Sequence, residues 1–141
     1  MILALECGAL TLQNVTQWAD VLILKEDDPD HRLFDVSVSK STNQALNALT
    51  QFGVSNDTKH IAKYAFSLFL TALENNTTSY EKVSFKVYQM AFKPIPLLPN
   101  EKAEIEMIRF YDDLEIANEG IYGDAQKIKN EMLVFLKHYA S

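Results

Sequence analysis

The sequence predicts a mainly α-helical fold, namely a compact single-domain bundle of six or seven helices spanning residues 1–141. Residues 62–73, AKYAFSLFLTAL, place apolar side chains over an arc of roughly 200° of a helix, whereas a surface helix needs a stripe of only about 100°. The chain has only four Gly and four Pro, which favours long regular elements over a turn-rich β fold. Its 48% hydrophobic and 23% charged residues are typical of a domain that buries a core. We therefore expect residues 62–73 to form the central helix.

The first elements predicted along the chain are two helices. Residues 2–7 suit a short helix that Gly8 can end, and Thr11 can cap a second helix that runs to about Lys25. Trp18 lies in the middle of the apolar side of this second helix, so we expect it to anchor the core. Cys7 lies among leucines, which favours a buried, inert thiol over a nucleophile.

Two segments have patterns that fit both a helix and a strand. Residues 33–39, LFDVSVS, alternate with period two, which indicates a strand or a single helical turn. For residues 80–93, the capping-box spacing of Thr78 and Glu81 favours a helix. The alternation over residues 83–87 is instead typical of a strand. We favour the helix for residues 80–93. The alternative is an α+β fold with a minor two-stranded element from residues 33–39 and 83–88.

Capping residues mark the two helices in the middle of the chain. Ser41 or Thr42 can begin a helix that runs through Phe52, and the next residue is a glycine that can end it. The central helix is then expected to begin at Ser55 or Asn56 and to run to about residue 74.

The C-terminal part of the chain predicts two more helices after a connector. Residues 93–99, KPIPLLP, contain three prolines and predict an extended connector whose apolar side chains pack onto the body. Asn100 can cap a helix that runs to about Asn118 and ends before Gly120. Asp124 can cap the last helix, which has a single apolar stripe.

Charge and composition exclude several classes of partner. The net charge of −6 repels nucleic acid and anionic membranes, and it attracts basic proteins. A single cysteine excludes an intramolecular disulfide. No window approaches the roughly 18 apolar residues of a membrane span, so we expect a cytoplasmic protein.

The sequence offers no pattern that predicts catalysis or a bound cofactor. His31, His60 and His138 have no Glu three residues before them, and there is no pair of histidines spaced for zinc. Glycine loops that cradle phosphates and the nucleophile elbow of hydrolases are also lacking. We therefore expect no cofactor, no metal and no enzymatic activity.

The densest acidic cluster follows the second helix, and residues 26–31 read EDDPDH. Pro29 ends the helix before it, which favours a solvated loop. The alternative interpretation is a site for a cation or a basic partner, although the glycine and the distal glutamate of a calcium loop are not in register.

The helix predicted from Asn100 to Asn118 has two apolar bands. The main band is Ala103, Met107, Phe110, Tyr111 and Leu114. On the far side, isoleucines 105, 108 and 116 lie among Glu101, Asp112, Glu115 and Glu119. These isoleucines are either covered by the rest of this chain, which we favour slightly, or exposed as an acidic and apolar face that docks a basic partner.

Residues 12–20, LQNVTQWAD, together with the acidic loop and residues 33–36, LFDV, carry a resemblance to a known group of proteins. These stretches resemble the small, acidic, mostly helical bacterial proteins of uncharacterised families that accompany polymorphic or contact-dependent toxins as immunity proteins. The resemblance implies binding rather than catalysis, with an acidic surface that blocks a cognate toxin, often a basic nuclease. It implies no particular contact residues.

We therefore expect a protein–protein interaction module, and one possibility within that class is an immunity protein for a basic toxin. One alternative is an enzyme or small-ligand binder with a pocket between helices near Trp18, and another is a homo-oligomer that uses the isoleucine face. The candidate partner-binding residues are Glu26, Asp27, Asp28, Asp30, Ile105, Ile108, Asp112, Glu115, Ile116 and Glu119.

Overall fold

A computed structural model describes residues 1–53 and 57–140, and within these ranges every regular element is a helix. The eight α-helices are α1 (Ile2–Glu6), α2 (Leu12–Lys25), α3 (Arg32–Ser37), α4 (Thr42–Thr50), α5 (Thr58–Glu74), α6 (Tyr80–Ala91), α7 (Glu104–Asn118) and α8 (Ala125–Tyr139), and one turn of 3-10 helix (Glu101–Ala103) precedes α7. The prediction of a mainly α fold is confirmed. The described residues contain one α-helix more than the predicted six or seven, because residues 32–37 also form a helix.

The α+β alternative is wrong for both of its segments. Residues 32–37 form α3, which buries Leu33 and Val36 at the three-residue spacing of a helix and leaves Phe34 exposed. Residues 83–88 lie within α6, where Val83 and Val87 are buried one turn apart. In both segments the period-two alternation came from apolar side chains that lie on two different faces of a helix.

Most predicted helix ends agree with the structure. Thr11 caps α2 by accepting a hydrogen bond from the Asn14 N–H, and Ser41 caps α4. The cap of α6 is Ser79 rather than Thr78, because the Ser79 hydroxyl accepts from the Lys82 N–H. The predicted caps of the central helix, residues 55 and 56, lie outside the described residues, and Asp57 caps α5.

The contacts divide the chain into two compact units, Met1–Ser55 and Asn56–Ser141. In the first unit α1 to α4 enclose their own core, built from Leu5, Val15, Ala19, Leu33, Val36, Ala45, Ala48 and Leu49. Trp18 is half-buried against this core and meets the Phe52 ring edge-on, and Cys7 is buried as expected. The prediction of a single domain over residues 1–141 stays a prediction.

The second unit is a four-helix arrangement that contains the predicted central helix. The α5 helix packs against α8 and α6, and α7 packs against α6 and α8. Phe66 is fully buried, its ring centroid lies 5.5 Å from that of Phe135 on α8, and the Phe135 ring also meets Phe110 on α7 at 5.3 Å. The segment over residues 62–73 therefore packs against α8 and α6 along one side, while Leu68 and Leu70 are only half-buried.

The connector between α6 and α7 packs less closely than the sequence predicted. Leu97 and Leu98 are half-buried, and the Leu97 N–H donates to the Met90 carbonyl at 3.0 Å. Ile95, which was expected to pack onto the body, is 71% exposed. Three prolines leave this segment without a regular structure of its own.

Among the helices of residues 1–53 and 57–140, not one combines the length and the apolar character needed to cross a membrane.

Candidate functional surface

The α7 helix is held at both ends by local hydrogen bonds. The Asn100 side chain accepts from the Lys102 N–H and starts the preceding 3-10 turn, and Glu104 and Glu106 lie in the first turn of α7, where the helix dipole favours acids. At the other end Gly120 has φ +73°, and the Gly120 and Ile121 N–H groups donate back to the carbonyls of residues 117 and 116. This is a Schellman motif, and it needs a residue that tolerates a left-handed conformation.

One side of α7 belongs to the core and the opposite side carries the predicted site. Met107, Phe110 and Leu114 are buried between α6 and α8. Six of the ten residues predicted for partner binding lie on α7 or at its C-terminal end. At 100° per residue they share an arc of roughly 100° that is centred nearly opposite these three buried residues. We call this arc the α7 face, and it consists of Ile105, Ile108, Asp112, Glu115, Ile116 and Glu119.

The α7 face is open to solvent along most of its length. Ile105 is 78% exposed, Ile116 is 38% exposed and Ile108 is half-buried. Asp112, Glu115 and Glu119 are all exposed. The interpretation that this chain covers all of these isoleucines is therefore wrong for Ile105, because α6 and α8 flank the buried side of α7 and leave its outer side uncovered.

One positive charge next to the α7 face, that of Arg109, is already paired. Arg109 donates to the Asp113 carboxylate at 2.8 Å and to Glu131 of α8 at 3.3 Å. Partial burial acts to lower the pKa of Arg109, but these hydrogen bonds outweigh it and raise the pKa. Arg109 thus ties α7 to α8 through Glu131, while Asp113 binds the same guanidinium from within α7.

The acidic loop is a loop in the structure, but its four carboxylates are not equivalent. Glu26, Asp27 and Asp28 are exposed. The Asp30 carboxylate instead accepts hydrogen bonds from the Arg32 N–H and from the Arg32 guanidinium, which holds the pKa of Asp30 down to about 2. Arg32 also donates to the Gln51 carbonyl at 3.1 Å, so Asp30 helps to connect α3 with the end of α4.

The acidic loop lies in the first unit and the α7 face lies in the second. Each is an acidic surface within its own unit.

Sequence reasoning did not include four aromatic residues on the outside of α6 and α7 among the site residues. Their rings form a continuous array: Phe85 to Tyr111 at 5.2 Å, Tyr111 to Tyr88 at 5.2 Å and Tyr88 to Phe92 at 4.7 Å between centroids. Phe85 is 43% exposed and Phe92 is 59% exposed. The signal was present in the sequence, because residues 85, 88 and 92 form a second apolar face of α6 beside the buried one.

The described residues of the second unit include cavities beside α7. A small notch of about 280 Å³ lies between α6 and α7 and is lined by Tyr111, Glu81, Glu115 and Glu119 among others. Two wider, open grooves of about 690 Å³ and 470 Å³ border α8, and both include the paired Arg109 and Glu131.

In residues 1–53 and 57–140, no group of three or more His, Cys, Asp or Glu side chains is placed to hold a metal ion.

The alternative function, an enzyme or a small-ligand binder, was expected to have a pocket near Trp18. Trp18 lies in the first unit, and the Phe52 ring packs against it. That alternative stays a prediction.

No protein-family model, no curated protein and no solved structure matches the chain.

Proposed function

We propose that this chain is a protein–protein interaction module that binds a basic protein through the α7 face. The observation that carries the proposal is that three carboxylates and three isoleucines occupy one side of a helix whose other side is buried, and that Ile105 is 78% exposed there. Exposed apolar side chains interspersed with carboxylates form a surface that a basic protein partner complements.

The two kinds of residue on the α7 face have different roles in this proposal. Burying an exposed isoleucine side chain against a partner removes apolar surface from water and is worth about 1.5–3 kcal/mol. The carboxylates of Asp112, Glu115 and Glu119 attract a positively charged protein over distance and disfavour acidic competitors. We propose the same steering role for the exposed acids of the loop, Glu26, Asp27 and Asp28, with Asp30 mainly holding the loop in place.

We further propose that the basic partner is a toxin and that the chain is an immunity protein acting in the cytoplasm. The resemblance of residues 12–20 and 33–36 to such proteins supports this proposal, as does the net charge of −6. The mechanism is steric occlusion of the toxin combined with charge complementarity, and it requires no catalytic group on this chain.

The test is capture from the native host with two baits, the wild-type chain and the double variant Ile105→Ser/Ile116→Ser, followed by binding measurements on the purified captured protein. We expect a basic protein that binds the wild type and binds the double variant about tenfold or more weakly, since a tenfold loss corresponds to about 1.4 kcal/mol. Val21→Ser/Val38→Ser is the matched control, because it also replaces two exposed apolar residues and both of them lie in the first unit, outside α7.

Two outcomes would contradict the proposal: a captured protein that is acidic, or a double variant that binds as tightly as the wild type. The toxin assignment has its own readout. The captured protein is expected to arrest growth when expressed alone and to be harmless when it is expressed together with the wild-type chain.

A further inference from the structure

The outer surface of α6 and α7 combines an apolar array with a neighbouring notch. The rings of Phe85, Tyr111, Tyr88 and Phe92 are in contact one after another, and the outermost two are about half exposed. Tyr111 belongs both to this array and to the wall of the notch. An apolar surface therefore continues directly into the notch.

The notch carries negative charge and includes no cation of its own. Its walls include the carboxylates of Glu81, Glu115 and Glu119, and among the described residues no Lys, Arg or His lines it. The Glu81 carboxylate accepts one hydrogen bond, from the Asn118 amide at 3.2 Å. Because an ionised carboxylate has about four acceptor positions, most of the accepting capacity of Glu81 remains available to another donor.

Each of the two arginines of this chain contacts both an aromatic ring and a carboxylate. Arg32 lies 4.7 Å from the centre of the Phe52 ring while it is hydrogen-bonded to Asp30. Arg109 lies 5.0 Å from the centre of the Phe110 ring while it is hydrogen-bonded to Asp113. Each guanidinium is therefore held by an aromatic ring together with a carboxylate. The notch offers the same two groups, and both arginines of the chain are already engaged elsewhere.

We infer that the notch binds an arginine side chain of the basic partner and that the ring array packs against the apolar residues beside that arginine. The guanidinium lies against Tyr111 and donates to Glu81 and Glu115. Arginine fits better than lysine, because its planar fork of N–H donors pairs with carboxylates at two points and stacks on aromatic rings. This inference rests on the proposed function and names the anchor of the same partner.

The test begins with a phage-displayed library of random dodecapeptides selected on the full-length wild-type chain. The most enriched peptide is then synthesised with a fluorescent label and its Kd is measured by anisotropy. We expect enriched peptides to contain an arginine next to apolar residues. Replacing that arginine with citrulline, which has nearly the same shape but no charge, should weaken binding about tenfold or more.

A double-mutant cycle then locates the arginine. The double variant Glu81→Gln/Glu115→Gln should also weaken the arginine peptide about tenfold, and the citrulline peptide should bind the variant and the wild type almost equally. Asp35→Asn/Glu74→Gln is the matched control because it also removes two negative charges, from exposed positions on α3 and α5, and it should leave the Kd unchanged. Phe92→Ser, at the exposed end of the array, should weaken the peptide through lost apolar contact.

The inference is overturned if no peptide is enriched, if the enriched peptides have no arginine, or if the citrulline and glutamine changes weaken binding independently of each other. These failures are distinguishable from failure of the proposed function. Basic peptides that bind less well to Ile105→Ser/Ile116→Ser but show no coupling to Glu81 and Glu115 would reject the notch and leave the α7 face supported. Enrichment of acidic peptides would contradict both.

Discussion

Asp30 illustrates what the sequence reveals about a single carboxylate and what it does not. The run of acids at residues 26–30 is plain in the sequence and predicts an acidic loop, which the structure confirms. The pairing of Asp30 with Arg32 is set by how α3 begins, since the Arg32 N–H and guanidinium both donate to the same carboxylate. Sequence spacing alone does not distinguish that arrangement from two side chains that point apart.

We predict that Asp30 titrates at a pKa of about 2 rather than near its ordinary value of 3.8. Because the folded-state pKa is lowered, the stabilisation from this group is fully present above about pH 3.8 and is lost as the pH falls through about 2. Carboxyl carbon NMR across this range gives the titration directly. Arg32→Gln should raise the Asp30 pKa toward 3.8, since the guanidinium is the main cause of the shift.

Lys25→Gln is the control for this titration because it also removes one positive charge near the loop. It should leave the Asp30 pKa where it is. An Asp30 midpoint that is the same in the wild type and in Arg32→Gln would show that the ion pair does not form in solution.

The α5 helix shows how far apolar patterning predicts packing for a whole element. The arc of roughly 200° over residues 62–73 predicted a helix with neighbours on two or three sides, and within the second unit α5 packs against two helices, α8 and α6. The fully buried stripe is narrower than that arc, however: it comprises Ala62, Ala65, Phe66, Phe69, Ala72 and Leu73, with Leu68 and Leu70 only half-buried. The apolar pattern shows which side chains of α5 can be buried. The positions of α6 and α8 decide which of those side chains are buried.

The same limit explains α6 and α7, which each have two apolar faces. In α6 the face with Val83 and Val87 is buried while Phe85 stays half exposed, and in α7 the face with Met107 is buried while Ile105 is exposed. Both faces were visible in the sequence. Which one is covered depends on tertiary neighbours, so the sequence could name the α7 face as a candidate but could not decide its exposure.

We predict that Phe66→Ala lowers the free energy of unfolding by about 3–5 kcal/mol, because it leaves a cavity where the ring meets Phe69 and Phe135. Tyr64→Ala is the matched control: it removes an aromatic ring from the same helix at a position that is 43% exposed, and it should cost about 1 kcal/mol or less. Urea unfolding followed by far-UV circular dichroism measures both variants. Equal losses would contradict the assignment of the buried side of α5.

At the scale of the whole molecule, composition predicted the fold class, and the predicted site residues divide between two surfaces. Few glycines and prolines favoured helices, and the structure has helices throughout its described residues. The loop carboxylates lie in the unit of residues 1–55 and the α7 face lies in the unit of residues 56–141. This division has no marker in the sequence, where neither a proline-rich nor a low-complexity linker separates the two parts.

The net charge of −6 is expected to speed association with a basic partner. We further expect the carboxylates of the α7 face to contribute more to this rate than other carboxylates of the chain. If the α7 face is the docking surface, removing charge there must matter more than removing the same amount elsewhere. The double variant Asp112→Asn/Glu115→Gln removes two negative charges from the α7 face. Asp35→Asn/Glu74→Gln removes two from exposed positions on α3 and α5, and so matches it in net charge.

The most direct measurement is the association rate constant of the purified basic partner with these three proteins over a range of salt concentrations. We expect the wild-type rate to fall about tenfold or more from low to high salt, because the attraction between exposed charges is screened. The α7 variant should associate more slowly at low salt and depend less steeply on salt, while the matched variant should stay close to the wild type. A wild-type rate that does not change with salt, or two double variants that slow association equally, would contradict the α7 face as the docking surface.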